Sequence, residues 1–277
     1  MSNKEMQALI SLLDDPDTTI FDDIRGKIIS YGGEVIPHLE NAWENSFDHL
    51  LQTRIEDIIH HLQFENIKIK LSNWKNSEKN LIDGAIIIAK YQYPDLEENT
   101  ITDCIKKITQ DVWLELNNSL TALEKIKVLN KVIFSVHGFY GNTKNINSPK
   151  NSYINNVIER KKGNPITLGI VYLSVCHQLN IPMHGVDIPA HFILAYAEDA
   201  NDVLFYLNVF NKGTVFGTHD IDKFLEQLKV EPEGKHYTPC SNLSIIKRLI
   251  QHLIYTYDNL GYIEKKEELK ELYSLLN

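Results

Sequence analysis

Cysteine is scarce in this chain. Its 277 residues hold three, Cys104, Cys176 and Cys240, and no two stand at CxxC spacing. That excludes a disulfide framework and a cysteine-based zinc site, and it predicts a chain suited to a reducing compartment. Basic clusters are scarce too: the net charge is -9, and the single basic run is ERKK at 159–162. Neutralising the phosphates of a duplex needs a clustered basic face, so no nucleic-acid partner is expected. No stretch reaches the ~18 apolar residues of a membrane span. The start MSNKEMQALISLLDDPD is charged, and its apolar run is too short for a signal peptide. A cytoplasmic protein without a membrane partner is expected.

What is present suits a folded, soluble chain: 43% hydrophobic and 23% charged residues, enough to bury a large core without staples. Residues 3–13 carry helical spacing, DDPD follows as a capping turn, and IRGKIISYG, EVIPHLENAW and HLLQTRIEDIIHHL read as further helices. The run LLDDPDTTIFDDIRGKIISYGGEVIPHLENAW resembles a HEAT-type helical hairpin with the start of another; a plain helical bundle accounts for it equally. From Leu81 a second set begins: NLIDGAIIIAKY, ITDCIKKITQDVWLELN and SLTALEKIKVLNKVIFSVHG, each with apolar residues every three to four positions.

A polar loop, HGFYGNTKNINSPKNS, and a short helix, YINNVIERK, lead to the stretch GNPITLGIVYL at 163–173. Apolar on nearly every side, residues 165–179 read as a buried central helix, with Asn164 as N-cap and Pro165 at the first helical position, where a missing N–H costs nothing. PMHGVDI, HFILAYA and VLFYLNVF have strand composition, with EDAND as the turn between the last two. A turn there places His191 opposite Asn208 on one face. Two amphipathic stripes close the chain, Ile246, Ile250, Leu253, Ile254 and Tyr257, then Leu269, Leu272, Tyr273 and Leu276. The order predicts an α+β fold in which helix predominates. Three parts are expected: a helical, HEAT-like segment over 1–75, a core with its leading helices over 76–235, and a helical pair over 236–277.

The run GFYGN, then SPKNSYINNVIERKKGNPITLGIVYLSVCHQLNIP, then GVDIPAHFILAY, resembles the SirB-type bacterial proteins with a transglutaminase-like core. The resemblance covers roughly residues 79 to 277, and it implies a central buried helix packed on a small antiparallel sheet, ending in a tetratricopeptide-like helical pair. In the wider transglutaminase and papain-like superfamily the working parts are a Cys at the start of the central helix, a His on the next strand and an Asp on the one after. The helix end lowers the thiol pKa, the His takes the proton and the acid fixes the tautomer. Register puts those positions at Pro165, His191 and Asn208.

Proline offers no nucleophile, so the resemblance implies that no residue completes a triad and that the protein acts as an interaction or regulatory module for a protein or peptide. Asn151, Asn164, Thr167 and His191 are the candidate ligand-binding residues. The alternative left open is a cysteine- or serine-dependent peptidase or amidase with His191 as base. Cys176 lies about 16 Å further along the helix at 1.5 Å per residue, too far to serve, whereas Ser152 and Thr167 are hydroxyls near the corner. No metal is expected: His184 and Asp187 stand an odd number apart on a strand, and His60 and His61 are adjacent on a helix, so neither pair can chelate from one face. No cofactor is expected, and the sequence leaves the oligomeric state open.

Overall fold

The computed structural model describes residues 3–77, 79–199 and 202–277. It comprises two compact units, Met1–Lys70 and Leu71–Asn277. The first is helical: α1 (Asn3–Ile10), α2 (Thr18–Ser30), α3 (Ile36–Glu44) and the long α4 (His49–Asn76). In the capping turn, the Asp17 carboxylate accepts from the Thr19 N–H at 2.8 Å and starts α2. Met6, Leu9, Leu13, Ile28, Leu39 and Ile55 meet in one core cluster. α4 continues beyond residue 62, where the sequence marked its end. Its buried stripe carries on through Ile67, Leu71 and Trp74, and no glycine or proline interrupts it.

The second unit starts with α5 (Leu81–Gln92), α6 (Glu98–Glu115) and α7 (Ala122–Asn130). The Thr121–Glu124 capping box opens α7. A continuous helix from α7 to His137 is not what forms: Lys131–Val136 is a π-helical turn. Val132, Ile133 and Phe134 are all buried there, three in a row, which an α-helical stripe does not bury together. The polar loop then holds an element the sequence did not signal. β1 (Tyr140–Gly141) pairs in parallel with β2 (Lys162–Gly163), with α8 (Ile154–Arg160) between them. Lys161 takes a left-handed φ of 56° to turn the chain from α8 into β2.

α9 (Pro165–Gln178) is the central helix, buried from Ile166 through Cys176. Against it lies a four-stranded antiparallel sheet in the order β3 (Met183–Ile188), β4 (His191–Asp199), β5 (Asp202–Asn208) and β6 (Thr214–Phe216). β6 and the following α10 (Thr218–Leu228) were not marked from sequence. The expected EDAND turn falls partly on residues 200 and 201, which lie outside the described residues. α11 (Asn242–Leu260) and α12 (Ile263–Leu275) form a helical hairpin through Gly261, whose φ of 78° suits glycine. The fold is α+β and predominantly helical, with a buried helix on a small antiparallel sheet.

The β4–β5 register corrects one expectation. Leu194 pairs with Leu207 and Ala195 with Tyr206, so by the same register Ile193, not His191, comes opposite Asn208. The offset from the expected pairing is two residues. Because strand faces alternate with every residue, an even offset leaves His191 and Asn208 on the same face as diagonal neighbours.

Candidate functional site

Asn164 organises the start of α9. Its side-chain oxygen accepts from the Thr167 N–H at 2.9 Å, and its amide nitrogen donates to Ser152 Oγ at 2.9 Å. Thr167 Oγ1 donates to the Asn151 carbonyl at 2.7 Å, and Asn142 Nδ2 donates to Asn151 Oδ1 at 2.9 Å. Asn151, Ser152, Asn164 and Thr167 are all buried. Asn164 alone of these lines the cavity described below; the other three stand behind the wall, with their polar atoms engaged inside the protein. Their work is to pin the loop at 142–152 against α9. With Pro165 lacking an N–H, and with the Thr167 and Leu168 N–H groups taken by Asn164, Ile166 carries the first-turn N–H that has no partner among the described residues.

Beside this corner opens a cavity of about 500 Å³, lined by Pro165, Ile166, His191, Phe192, Phe210 and residues of α11. The structure therefore brings Pro165 and His191 together, and the Asn208 side chain lies near enough to the His191 ring to favour its protonated form. Asn208 Oδ1 accepts from the Asn211 N–H at 3.1 Å, which ties it to the turn after β5. The Phe224 ring lies 5.9 Å from that of His191. Burial pushes the His191 pKa below its usual value; the Asn208 side chain opposes this and the Arg248 charge adds to it. Burial and the Arg248 charge together thus favour the neutral imidazole of His191.

Among the described residues lining the cavity there is no cysteine, serine or threonine. Cys176 is fully buried, and burial raises its thiol pKa well above normal. Burial also pushes Cys240 up to about 12, with the Asp187 charge adding to the rise. Cys104 takes a 3.6 Å contact from Lys161 Nζ, outside the cavity wall. A reactive thiolate needs an electropositive, accessible setting, and Cys176 and Cys240 have the opposite one. His184 Nε2 lies 3.1 Å from the Ala197 carbonyl, and no cluster of three metal-ligating side chains occurs among the described residues.

The far wall of the cavity comes from α11, through Arg248, Gln251, His252 and Tyr255. The sequence had marked only the apolar stripe of this helix. Arg248 and His252 stand four residues apart, as do Gln251 and Tyr255, so a second, polar stripe ran beside the apolar one and was the available signal. Arg248 pairs with Asp187 at 2.9 Å and donates to the Ile188 carbonyl at 3.2 Å. Burial raises the Asp187 pKa and outweighs the pull of Arg248. His252 is held below its usual pKa by burial and by the Arg248 charge, and its Nε2 is buried without a hydrogen-bond partner among the described residues.

No described helix is long and apolar enough to cross a membrane. No solved structure matches the chain. Among curated proteins, the UPF0162 protein of Xylella fastidiosa is 28% identical over 188 residues, 65% of this chain and 65% of that protein. The UPF0162 protein of Vibrio cholerae is 24% identical over 173 residues, 61% of this chain and 63% of that one. F-box only protein 21 of Homo sapiens is 25% identical over 158 residues, 54% of this chain and 23% of that protein. The chain thus spans less than two thirds of the length of these relatives. The model of the family described as the transglutaminase-like superfamily matches residues 99–251, which take in α9, the whole sheet, the His191–Asn208 pair and most of the cavity wall. That is more than half of the chain, and the protein belongs to the transglutaminase-like superfamily.

Proposed function

We propose that this protein is a non-catalytic member of the superfamily, of the SirB type, whose cleft binds a protein or peptide partner as an interaction or regulatory module of the cytoplasm. The observation that carries this reading is the pyrrolidine ring of Pro165 at the start of α9, in the same cavity as His191 and with no thiol or hydroxyl from cysteine, serine or threonine in the lining. Losing the nucleophile of a triad costs on the order of 10⁶ in turnover. What is left is a walled, mostly apolar cleft with a few convergent polar groups, which suits binding. The α11–α12 hairpin, read as a tetratricopeptide-like pair, would add surface for the same partner.

Purified protein incubated with thiol-directed cleft probes and with amine-incorporation substrates is expected to give no labelling at the cleft and no turnover, while affinity capture from cytoplasmic extract gives a stable protein partner. Robust turnover abolished by His191→Ala would overturn the reading in favour of a cysteine- or serine-dependent peptidase or amidase.

A further inference from the structure

The cavity has a polarity that the superfamily likeness does not account for. In a chain of net charge -9, its lining holds an arginine and two histidines and no aspartate or glutamate. The polar groups converge from three elements: His191 from β4, Arg248 and His252 from α11, and the Ile166 N–H at the positive end of the fourteen-residue α9. Pro165, Phe192 and Phe210 make the apolar part of the wall. We propose that the cavity captures the C-terminal carboxylate of a peptide whose last side chain is apolar, with Arg248 and the Ile166 N–H taking the carboxylate and the apolar wall taking the side chain. This rests on the reading of the cleft as a binding site, and it names the group that the cleft binds.

Three observations favour this occupant. First, Arg248 already shares its charge with Asp187 at 2.9 Å, so the net positive charge at the wall is small. A monoanion matches it; a phosphate dianion would meet the Asp187 carboxylate. The guanidinium has five donors; the Ile188 carbonyl engages one, Asp187 is an ion-pair neighbour whose Oδ1 makes no aligned hydrogen bond, and the arginine side chain is 24% exposed. Second, His252 Nε2 is buried at this wall without a partner among the described residues, and a buried nitrogen left unpaired is destabilising. A polar group on a guest in the cavity would give this nitrogen a partner beside Arg248. Third, about 500 Å³ is more than a lone carboxylate fills and falls in the range of drug-sized ligands, so the bound group carries an apolar body. Backbone and side-chain donors converging on a chain terminus are a recurring mode of peptide capture.

The test uses the full chain and isothermal titration with four probes: an acetylated tetrapeptide ending in a free-carboxyl phenylalanine, the same peptide as its C-terminal amide, 3-phenylpropionate and inorganic phosphate. The free-carboxyl peptide is expected to bind at least about tenfold tighter than the amide, a margin of ~1.4 kcal/mol, and tighter than 3-phenylpropionate and phosphate. His252→Leu, and Arg248→Gln combined with Asp187→Asn to keep the wall neutral, are expected to erase the preference for carboxylate over amide. Equal binding of the amide, stronger binding of phosphate or 3-phenylpropionate, no binding of any probe, or an unchanged preference in His252→Leu each overturns the proposal. Should the double variant fail to fold, His252→Leu decides, since it removes a nitrogen that has no partner to lose. Mass spectrometry of the titrated peptide separates the two readings: a cleaved or amine-exchanged peptide refutes the absence of catalysis, whereas an intact peptide that binds equally well as the amide refutes carboxylate capture alone.

Discussion

The ring of Phe192 packs so tightly against Gly169 that a methyl group on that glycine would sit 2.6 Å from Phe192 Cε1. The other side of the ring closes on Gly185 of β3, where an added Cβ would lie 2.7 Å from Cζ. One aromatic side chain is thus seated between α9 and β3 by the absence of two others. Since Phe192 follows His191, this seating fixes where the imidazole stands relative to Pro165.

Gly169→Ala is therefore expected to destabilise the protein by about 1–3 kcal/mol, the usual cost of overpacking, and to move His191. Chemical denaturation measures the first effect and the histidine ring resonances the second. An unchanged midpoint would mean that the Phe192 ring yields without cost.

Asn164→Ala removes the cap of α9 and leaves the buried Ser152 hydroxyl and Thr167 N–H without their partner. Losing the cap at the Thr167 N–H costs ~1 kcal/mol and the orphaned Ser152 hydroxyl adds roughly 1–3 kcal/mol, so a loss of about 2–4 kcal/mol is expected in urea unfolding. Asn164→Asp restores the cap but not the donor to Ser152, and is expected to recover only part of that loss.

His177, His191 and His252 are all held below the usual histidine pKa, with burial as the largest cause in each. The unfolded chain then takes up protons on these groups more readily than the folded one, so stability rises with pH through the window below about 6.5. Their contribution is complete above that value and is lost as the pH falls toward the folded pKa values. Thermal melts between pH 7.5 and 5 are expected to show a falling Tm, with a shallower slope in His252→Leu.

Pro165→Cys places a thiol at the first position of α9, in the cavity that His191 also lines. A helix start and a neighbouring imidazole favour the thiolate. Alkylation by iodoacetamide at pH 7 is expected to modify the new thiol well before Cys176, which is fully buried. Equal rates would show that the corner no longer activates a nucleophile.

The features legible in the sequence were those governed by one local rule. The 3.6-residue stripes of α5, α6 and α11 and the all-round apolar run of α9 marked the helices, and Asn164 with Pro165 gave the start of α9 to the residue. The His191–Asn208 pair was found through the two-residue period of strands, and that same period made it survive a register error of two. What escaped depends on distant packing. The β1–β2 bridge joins Tyr140 to Lys162, each two residues long, too short for any periodic signal. Asn151 and Thr167 looked like binding groups because their engagement with the 142–152 loop is tertiary. Arg248 and His252 escaped because a helix far along the chain, bounded by Ser241 and Gly261, closes a cavity opened by α9 and β4.

That placement of α11 links fold and occupancy. Ile245, Ile246, Leu249, Ile250 and Leu253 are buried on one side of the helix while Arg248 and His252 face the cavity on another. Deleting the final thirty or so residues would strip a wall as well as part of the interior, so a core cut short at that end does not retain the cleft. By mass action, whatever fills the cleft raises the melting temperature of the unit that holds it, which makes heat resistance a simple gauge for screening occupants.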